Sequence, residues 1–541
     1  MARMRSLLSD DLVSRYDDQG LWQAHTLWDL AKRADPDRVA IVCPRHGSIT
    51  YRQLTEEAER LAGVWQAHGI SAGDPVILQI PNWYEAPLAH LALTRLGAIT
   101  LPALPTYRAR EITQLVEASG ATAIVGATTF HHSPSEEFYR SVVAESETLR
   151  ECWLVDDQAG GLRGVAAAGS SDGLSHPPDP DELTILIATS GTTGAQKLVA
   201  HSHRSTLGGV LGRIATDIIG LQEEDVILMA SPVTHMTGLQ YGIRMAAWLG
   251  ATLVLMDRWN PADAAELVST HGVTYTQGAT PFLYDLVNLP GESREKLHTL
   301  RSFACGGAPI PPELAQRALE VMPGTALLPT WGLSETAIVT LVGPNDPPEK
   351  VTGSDGRAVP GWEVRIVSPE GDPVPPDVTG EIECRGAGLF HGYFGREDLT
   401  RSTLHDGWLR TGDRGRMDPH GYVRCLERIK DLIIRGGLNV SPSEIEALMR
   451  HHPNVEQVAV VGVPDERLGE RICAVVIPRG EAPTVGEIGE FLLAKGLSKQ
   501  KLPERIVAVD SFPVTAAGKV QKFVLREQVS ELQAADAPHH S

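Results

Sequence analysis

Cysteine is scarce in this chain, since 541 residues include only six cysteines. No two of them form a Cys-x-x-Cys pair, so the sequence predicts neither a zinc site nor a disulfide framework. This usage is typical of a reducing compartment, and we expect the cytoplasm. The six residues are Cys43, Cys152, Cys305, Cys384, Cys425 and Cys473.

The chain also lacks a long hydrophobic run. No stretch of about 18 consecutive apolar residues occurs, so we expect no helix that spans a membrane. The segment from Met1 to Asp10 contains arginines but no apolar core of the kind that a secretory signal peptide needs. We therefore expect no signal peptide.

Positive charge is in the minority. The chain has 48 lysines and arginines against 68 aspartates and glutamates, which gives a formal net charge of −20. Proteins that bind nucleic acid or anionic membranes usually show the opposite balance. We expect no nucleic-acid partner, and any anionic ligand must be bound by a local positive site.

The length and the hydrophobic pattern predict a layered α/β protein with more than one domain. A chain of 541 residues with 42% hydrophobic content exceeds a single core. Strand-like runs such as 75–80 and 252–255 alternate with helical patterns such as 51–68 and 261–271, which favours largely parallel sheets. The segment 159–180 is rich in Gly, Ala, Ser and Pro, and we predict a loop or linker there.

The character of the chain changes at Gly361. Shorter strand patterns separated by Gly, Pro and Asp turns indicate a β-rich subdomain. A new α/β unit begins after Arg428. We predict a large N-terminal domain, residues 1–428, of layered sheets and helices with this subdomain, and a small α+β C-terminal domain, residues 429–541.

One segment is typical of a polyphosphate site. The apolar run 183–188 leads into a loop of hydroxyls and glycines that ends with a lysine. Glycines let backbone N–H groups approach phosphate oxygens, hydroxyls donate further hydrogen bonds, and the lysine adds positive charge. The segment lacks the Gly-Lys-Ser/Thr triplet of a P-loop. The residues of this first motif are Thr189, Ser190, Gly191, Thr192, Thr193, Gly194 and Lys197.

Four further motifs follow. Each is weak alone, but their order and spacing across about 330 residues are specific. The second motif is 231–238, the third is 330–336 with the upstream segment 305–310, the fourth comprises 411–413, 427–431 and 435–437, and the fifth is 514–522.

Together the five motifs resemble the adenylate-forming superfamily of acyl-CoA synthetases, peptide-synthetase adenylation domains and luciferases, over nearly the whole chain. The segments 279–285 and 518–523 are most similar to bacterial acyl-CoA ligases for short- and medium-chain or cyclohexane-type acids. The resemblance implies two steps. A carboxylate attacks the α-phosphate of ATP to give acyl-adenylate and pyrophosphate, and a thiol, coenzyme A, then displaces AMP to give a thioester. It also implies magnesium and a small C-terminal domain that rotates between the two steps.

The resemblance assigns catalytic roles to five residues. Lys519 is expected to bridge the substrate carboxylate and the α-phosphate, where its charge offsets the repulsion between two anions. Glu335 is expected to bind magnesium, since a hard cation takes one or two carboxylates along with phosphate oxygens. Ser334 and Thr336 would donate to phosphate. His235 would lie beside the acyl site, where we expect positioning rather than proton transfer.

Other matched positions are expected to bind the nucleotide. Trp331, at a position that is most often Tyr in the family, would face adenine, and the small residues Gly307 and Ala308 would lie along its edge. Asp413 and Arg428 would reach the ribose hydroxyls. The predicted nucleotide site also includes Pro309, Thr330, Gly332 and Leu333.

The remaining matched positions concern the thiol and the acyl group. Lys430 takes the expected hinge position, and Gly436 and Gly437 would line the approach of the thiol. Met236 and Leu239 predict an apolar acyl pocket. That pocket would also include His235 and Gly307.

Two departures from the family loop Gly-x-Pro-Lys-Gly leave the acceptor open. Gln196 replaces the proline and Leu198 replaces the final glycine, which is similar to aryl-acid AMP ligases that feed siderophore carrier proteins. Against this, Met236 stands where those ligases commonly have asparagine. The first hypothesis is a CoA ligase for a hydrophobic acid that is medium-chain, alicyclic or aromatic. The alternative is an acyl- or aryl-AMP ligase that loads a separate phosphopantetheine carrier protein.

A third hypothesis is a sensor that binds nucleotide without catalysis. It is disfavoured because Glu335, Asp413, Arg428 and Lys519 are all present.

Overall fold

The structure is a computed structural model, and it divides the chain into two compact units. The first unit runs to Val364 and includes Glu383–Arg410 and Gly421–Val423. The second unit includes Arg365–Ile382, Thr411–His420 and the chain from Arg424 onward. The residues that the structure describes are 9–130, 133–156, 161–174, 178–190, 196–465, 467–514 and 520–536.

The strands of the described chain are β1 Val39–Cys43, β2 Gly47–Thr50, β3 Pro75–Gln79, β4 Ile99–Pro102, β5 Ala123–Ala127, β6 Glu151–Val155, β7 Leu183–Ser190, β8 Gln196–Ser202, β9 Val226–Met229, β10 Thr252–Leu255, β11 Tyr275–Gly278, β12 Ser302–Cys305, β13 Ala326–Leu333, β14 Ala337–Leu341, β15 Arg357–Ala358, β16 Trp362–Val367, β17 Gly380–Gly386, β18 Leu404–His405, β19 Trp408–Met417, β20 Val423–Arg428, β21 Ile433–Arg435, β22 Leu438–Val440, β23 Val455–Asp465, β24 Gly469–Pro478 and β25 Arg505–Ala508.

The α-helices of the described chain are α1 Asp10–Asp18, α2 Leu27–Arg33, α3 Tyr51–Ala67, α4 Glu85–Leu96, α5 Ala109–Ser119, α6 Glu136–Glu145, α7 Gly161–Ala167, α8 His203–Thr206, α9 Gly208–Arg213, α10 Met236–Gly238, α11 Met245–Leu249, α12 Pro261–His271, α13 Thr280–Val287, α14 Gly291–Glu295, α15 Pro312–Val321, α16 Pro348–Gly353, α17 Glu397–Thr403, α18 Pro442–Met449, α19 Val485–Ala494 and α20 Lys522–Asp536. Short π-helical segments cover Ile214–Ile219 and Leu239–Arg244, and 3₁₀ turns cover Ile429–Asp431 and Lys499–Lys501.

Two sheets of the first unit are mostly parallel, as the alternating pattern predicts. The nine-stranded sheet has the order β15-β14-β13-β12-β11-β9-β10-β1-β2, with parallel pairing from β13 through β1. The six-stranded sheet has the order β6-β5-β3-β4-β7-β8, and only its β7–β8 pair is antiparallel. Strands such as β3 are buried at every position because helices cover both faces.

The other strands form two smaller sheets. Strands β16, β17, β19 and β18 lie in that order, and β20 pairs with β19. In the second unit the order is β22-β21-β24-β23, and β25 runs parallel to β24. Val, Ile and Ala side chains of β23 and β24 form a core of this unit with residues of α18 and α19. These short strands and the α/β unit after Arg428 match the predicted α/β class.

The predicted loop at 159–180 is wrong in part, because helix α7 occupies Gly161–Ala167. Leu162 and Ala166, four residues apart and therefore on one helix face, are fully buried. Arg163 on the same helix forms an ion pair with Glu57 at 2.7 Å. The Gly and Ala content that suggested a loop is compatible with a short helix that is stabilised by this packing.

Candidate active site

The first motif lies in a β-hairpin. Strand β7 extends through Thr189 and Ser190, which were predicted to begin the loop, and Lys197 already belongs to β8. Thr189 and Lys197 face each other across the antiparallel pair. This strand–loop–strand arrangement differs from the strand–loop–helix of a P-loop. Gly191, Thr192, Thr193, Gly194 and the side chain of Ser190 lie outside the described residues, as does Lys519.

Strand β8 also pairs on its other edge, with the segment 391–394. Val199 forms an antiparallel bridge with Tyr393. The backbone N–H of Phe394 donates to the carbonyl oxygen of Leu198 at 2.8 Å. The backbone N–H of His391 donates to the carbonyl oxygen of Ala200 at 2.8 Å. Leu198, which replaces the family glycine, is buried in the core of the six-stranded sheet. The departure therefore adds core packing to a strand that is paired on both edges.

Tyr393 brings two of the predicted residues together. Its hydroxyl donates to Oε1 of Glu335 at 2.8 Å, and the Nζ atom of Lys197 lies 5.4 Å from the centroid of its ring. A cation this close to the face of an aromatic ring is attracted by it. Our sequence reasoning did not single out Tyr393. The only signal was the aromatic cluster Phe390-His391-Gly392-Tyr393 after β17.

The third motif ends β13 and forms the turn into β14. Thr336 is fully buried; its Oγ1 accepts from the N–H of Leu333 at 3.1 Å and donates to the carbonyl of Ala337 at 3.0 Å. This hydroxyl closes the turn, and its predicted donation to phosphate stays a prediction. Gly332 is required sterically, since a Cβ there would lie 1.8 Å from the carbonyl oxygen of Ala337. The turn leaves Glu335 only partly buried.

Two hydrogen bonds hold the backbone of this turn from outside the motif. The Nε2 atom of His201 lies 2.7 Å from the carbonyl oxygen of Ser334. The N–H of Phe390 donates to the carbonyl oxygen of Glu335 at 2.9 Å. Burial lowers the pKa of His201 to about 4, so its imidazole is neutral near pH 7.

The segment 305–310 lies beside the third motif because β12 and β13 are parallel neighbours. Thr330 is buried, and its hydroxyl donates to the carbonyl of Cys305 at 3.4 Å. Gly307 has a φ of +82° and faces open space, and its predicted place along the adenine ring stays a prediction. The hydroxyl of Thr280 lies 3.2 Å from the carbonyl oxygens of both Ala308 and Pro309. Trp331 and Leu333 lie on β13, where Trp331 is 7% exposed.

The second motif forms a turn with apolar side chains behind it. The Nδ1 atom of His235 accepts from the N–H of Thr237 at 3.4 Å, and burial lowers the pKa of His235, so that a neutral ring is favoured. Met236 and Leu239 are buried. These contacts agree with a positioning role for His235, and the acyl pocket itself stays a prediction.

Asn82 anchors the second motif and was missed in the sequence. Its side-chain nitrogen donates to the carbonyls of Met229, Ser231 and Met256 at 3.0–3.2 Å. Its Oδ1 accepts from the N–H of Val233 at 2.8 Å. An asparagine directly after a buried strand and a proline is ordinarily a turn residue, so the sequence carries no signal for this long-range role.

The second unit contains the remaining predicted residues. Asp413 is 4% exposed and forms an ion pair with Arg428, with 2.6 Å between Oδ1 and Nε. Arg428 also donates to the carbonyl of Thr411 at 3.2 Å. Two predicted ribose ligands are therefore in contact with each other. Lys430 is exposed in the 3₁₀ turn Ile429–Asp431.

Gly436 and Gly437 form the two-residue turn between β21 and β22. Both have positive φ values, +56° and +83°. This is the pattern of a type I′ hairpin turn, which strongly favours glycine.

Comparison with known proteins identifies the chain. The sequence model of a protein family described as AMP-binding enzyme matches residues 28–394, which is more than half of the chain. The chain belongs to the AMP-binding enzyme family. The model of the C-terminal domain of AMP-binding enzymes matches residues 444–519. The predicted superfamily is thereby confirmed, and the chain is an AMP-forming ligase of the ATP-dependent, adenylate-forming type.

Relatives within the family include both kinds of ligase that the sequence suggested. A medium-chain fatty-acid–CoA ligase of Escherichia coli K12 is 34% identical over 95% of this chain and 92% of its own length. A salicyl-AMP ligase/salicyl-S-ArCP synthetase of Mycobacterium tuberculosis is 33% identical over 96% of this chain and 93% of its own length. The crystal structure of ATP-bound MatB from Rhodopseudomonas palustris covers 94% of this chain and 100% of that chain, with a TM-score of 0.85 and 28% identity. The predicted fold class is confirmed.

Among the described residues, no helix combines the length and the apolar character needed to cross a membrane. No group of three or more His, Cys, Asp or Glu side chains in the same part of the chain could hold a metal ion. The predicted binding of magnesium by the single carboxylate of Glu335 stays a prediction.

Proposed function

We propose that this enzyme joins a hydrophobic carboxylic acid to coenzyme A in two steps. The carboxylate oxygen attacks the α-phosphorus of ATP, the bond to pyrophosphate breaks, and acyl-adenylate forms. The sulfur of coenzyme A then attacks the acyl carbon and AMP leaves. The full-length similarity to a medium-chain fatty-acid–CoA ligase supports this acceptor and this class of acid.

The contact of Lys197 and Glu335 with one tyrosine carries the proposal. Through Tyr393, a positive amine and a carboxylate of the kind that binds magnesium lie close together in the first unit. Magnesium would be held by Glu335 and would supply positive charge to the triphosphate. Lys197 would bind phosphate oxygens from β8, and Lys519 would neutralise the approach of the acid to the α-phosphate.

We further infer that residues 429–541 act as the small mobile domain, with Lys430 at its hinge. The match of the C-terminal family model to 444–519 supports this assignment. Alternation of such a domain needs only a few linker residues that change their torsion angles. The six free cysteines suit a reducing compartment such as the cytoplasm.

A carrier protein is the second candidate for the acceptor. Relatives that are named as salicyl-AMP and 2,3-dihydroxybenzoate-AMP ligases cover 96% of the chain at 33% and 32% identity. Gln196 and Leu198 favour this alternative. The buried Met236 favours an apolar acid without a polar group at that point of the pocket.

Pyrophosphate exchange with linear, cyclic and aromatic acids tests the first step. We expect ATP to be labelled from pyrophosphate only when a hydrophobic acid is present, and Glu335→Gln to abolish most of the signal. Exchange with no member of the panel would contradict the proposed adenylation.

Product analysis with coenzyme A and with a holo carrier protein tests the second step. We expect acyl-CoA as the main product. Accumulation of acyl-adenylate with coenzyme A, together with rapid acylation of the carrier, would favour the alternative.

A further inference from the structure

His201 lies on β8 in a position that links two motifs. It is fully buried, and it shares one face of the strand with Lys197, since alternate residues of a strand point to the same side. Because a carbonyl oxygen can only accept, Nε2 must carry the hydrogen that is donated to Ser334. Nδ1 is then an acceptor for the hydroxyl of Ser205, which lies 3.1 Å away.

The Ser334–Glu335 segment is held at consecutive carbonyls and at the carboxylate. His201 donates to the carbonyl of Ser334, and the N–H of Phe390 donates to the carbonyl of Glu335. Tyr393 donates to the carboxylate. Phe390 uses its backbone and would do so with any side chain except proline. Thr336 closes the turn from within the motif, and the side chains of His201 and Tyr393 hold it from outside.

We propose that His201 is a positioning residue of the nucleotide site, which fixes the peptide that carries Glu335 by donating its Nε2 hydrogen to the carbonyl of Ser334. The inference rests on the proposed role of Glu335 in binding magnesium with ATP. Partners that orient a metal ligand in this way typically change metal affinity by about 10–100-fold when they are removed.

Two amide substitutions separate this role from ordinary packing. In His201→Gln the side-chain amide reaches about as far as Nε2 and can still donate to Ser334. In His201→Asn the amide reaches about as far as Nδ1 and cannot. A purely structural role would change ATP binding by the same factor with magnesium and with EDTA, whereas a role in positioning Glu335 changes only the magnesium-dependent part.

ATP binding measured by calorimetry, with magnesium and with EDTA, tests the inference on the full chain. We expect His201→Asn to weaken magnesium-dependent ATP binding by about tenfold, and His201→Gln to stay within about threefold of the native protein. ATP binding in EDTA should differ little between the two variants. If His201→Asn does not fold, His201→Met, which has no donor, replaces it in the comparison.

Equal ATP affinities for the donor and donor-free variants would overturn the role of His201. If the native protein shows no gain in ATP affinity from magnesium, the proposed role of Glu335 fails as well. That second outcome is observed in the native protein alone, so the two failures are distinguishable.

Discussion

At the scale of the residue, Tyr393 makes three contacts around the candidate site. Its backbone bridges to β8, its ring lies against the amine of Lys197, and its hydroxyl binds Glu335. It is 8% exposed, so its position is fixed by packing. A hydrogen bond to a charged group contributes about 1.5–3 kcal/mol, and this one is directed at the predicted magnesium ligand.

We predict that Tyr393→Phe raises the magnesium concentration needed for half-maximal pyrophosphate exchange by about tenfold. The ring and its contact with Lys197 remain, so the KM for the acid should be unchanged. A magnesium titration of the exchange reaction measures the first effect, and a titration of the acid at saturating magnesium measures the second.

The matched control is Tyr422→Phe in the same unit. The centroid of the Tyr422 ring lies 4.9 Å from the Nζ atom of Lys350. It removes a hydroxyl of the same kind outside the candidate site, and we expect native magnesium dependence. A Tyr393→Phe protein with the same magnesium dependence as this control would contradict the prediction.

Arg244 is a second residue whose role only the structure reveals. It is fully buried, and its guanidinium donates to ring nitrogens of His90 and His203 at 3.2 and 3.3 Å and to the hydroxyl of Thr206 at 2.6 Å. Burial lowers its pKa to about 9, which still leaves it charged near pH 7. Burial and this nearby charge lower the pKa of His90 and His203, so both rings stay neutral and can accept these hydrogen bonds.

At the scale of the element, the hairpin β21–β22 shows how one turn fixes a register. Ile433 pairs with Val440 and Arg435 with Leu438, which leaves Gly436 and Gly437 as the whole loop. Two residues with positive φ give a turn whose twist matches that of the strands. The turn predicted to line the thiol path therefore has a defined two-residue conformation in the second unit.

We predict that Gly436→Asn is tolerated and that Gly437→Val impairs the thioester step. Asparagine adopts positive φ readily in a type I′ turn, whereas a β-branched residue at +83° is strained by about 1–2 kcal/mol. Separate assays of pyrophosphate exchange and of acyl-CoA formation measure the effect. Exchange should remain native in both variants, and a loss of exchange in Gly437→Val would argue against a role confined to the thiol step.

At the scale of the whole molecule, the predicted site residues are divided between the two units. The first contains Lys197, Glu335, His235 and the residues predicted to line the acyl pocket. The second contains Asp413, Arg428, the glycine hairpin and the fifth motif. The second unit therefore contains residues predicted for adenylation and residues predicted for the thiol step. The two half-reactions are expected to respond differently to single changes within it.

We predict that Lys519→Ala lowers adenylation by about 10²–10³-fold and spares thioester formation from supplied acyl-adenylate. The lysine charge is needed only while the acid approaches the α-phosphate. Rapid-quench assays of each half-reaction measure the two rates.

Lys501→Ala is the matched control for the loss of a lysine in this unit. It removes an ion pair with Glu444, 2.6 Å long and partly exposed, and such pairs contribute little. We expect native rates in both steps. Equal losses in both steps for Lys519→Ala would contradict the proposed division of roles.

Local patterns in the sequence determined much of the fold. Strand β10 and helix α12 have the predicted bounds, Thr252–Leu255 and Pro261–His271. Helix α12 begins at Pro261, a residue type that favours the first turn of a helix. The side chain of Asn260 caps its N-terminus. Such elements depend on neighbours within a few residues, and the motif order likewise lies in the sequence itself. The family and the α/β class were therefore predictable.

Only the tertiary structure decided which distant groups meet in the candidate site. The roles of Tyr393, His201 and Asn82 depend on the pairing of β8 with 391–394 and on carbonyls far away in the sequence. No local pattern encodes these contacts, because a side chain reaches a distant carbonyl only after the register of the strands is set. The same dependence explains why Thr189 and Lys197, which look like loop residues, belong to strands.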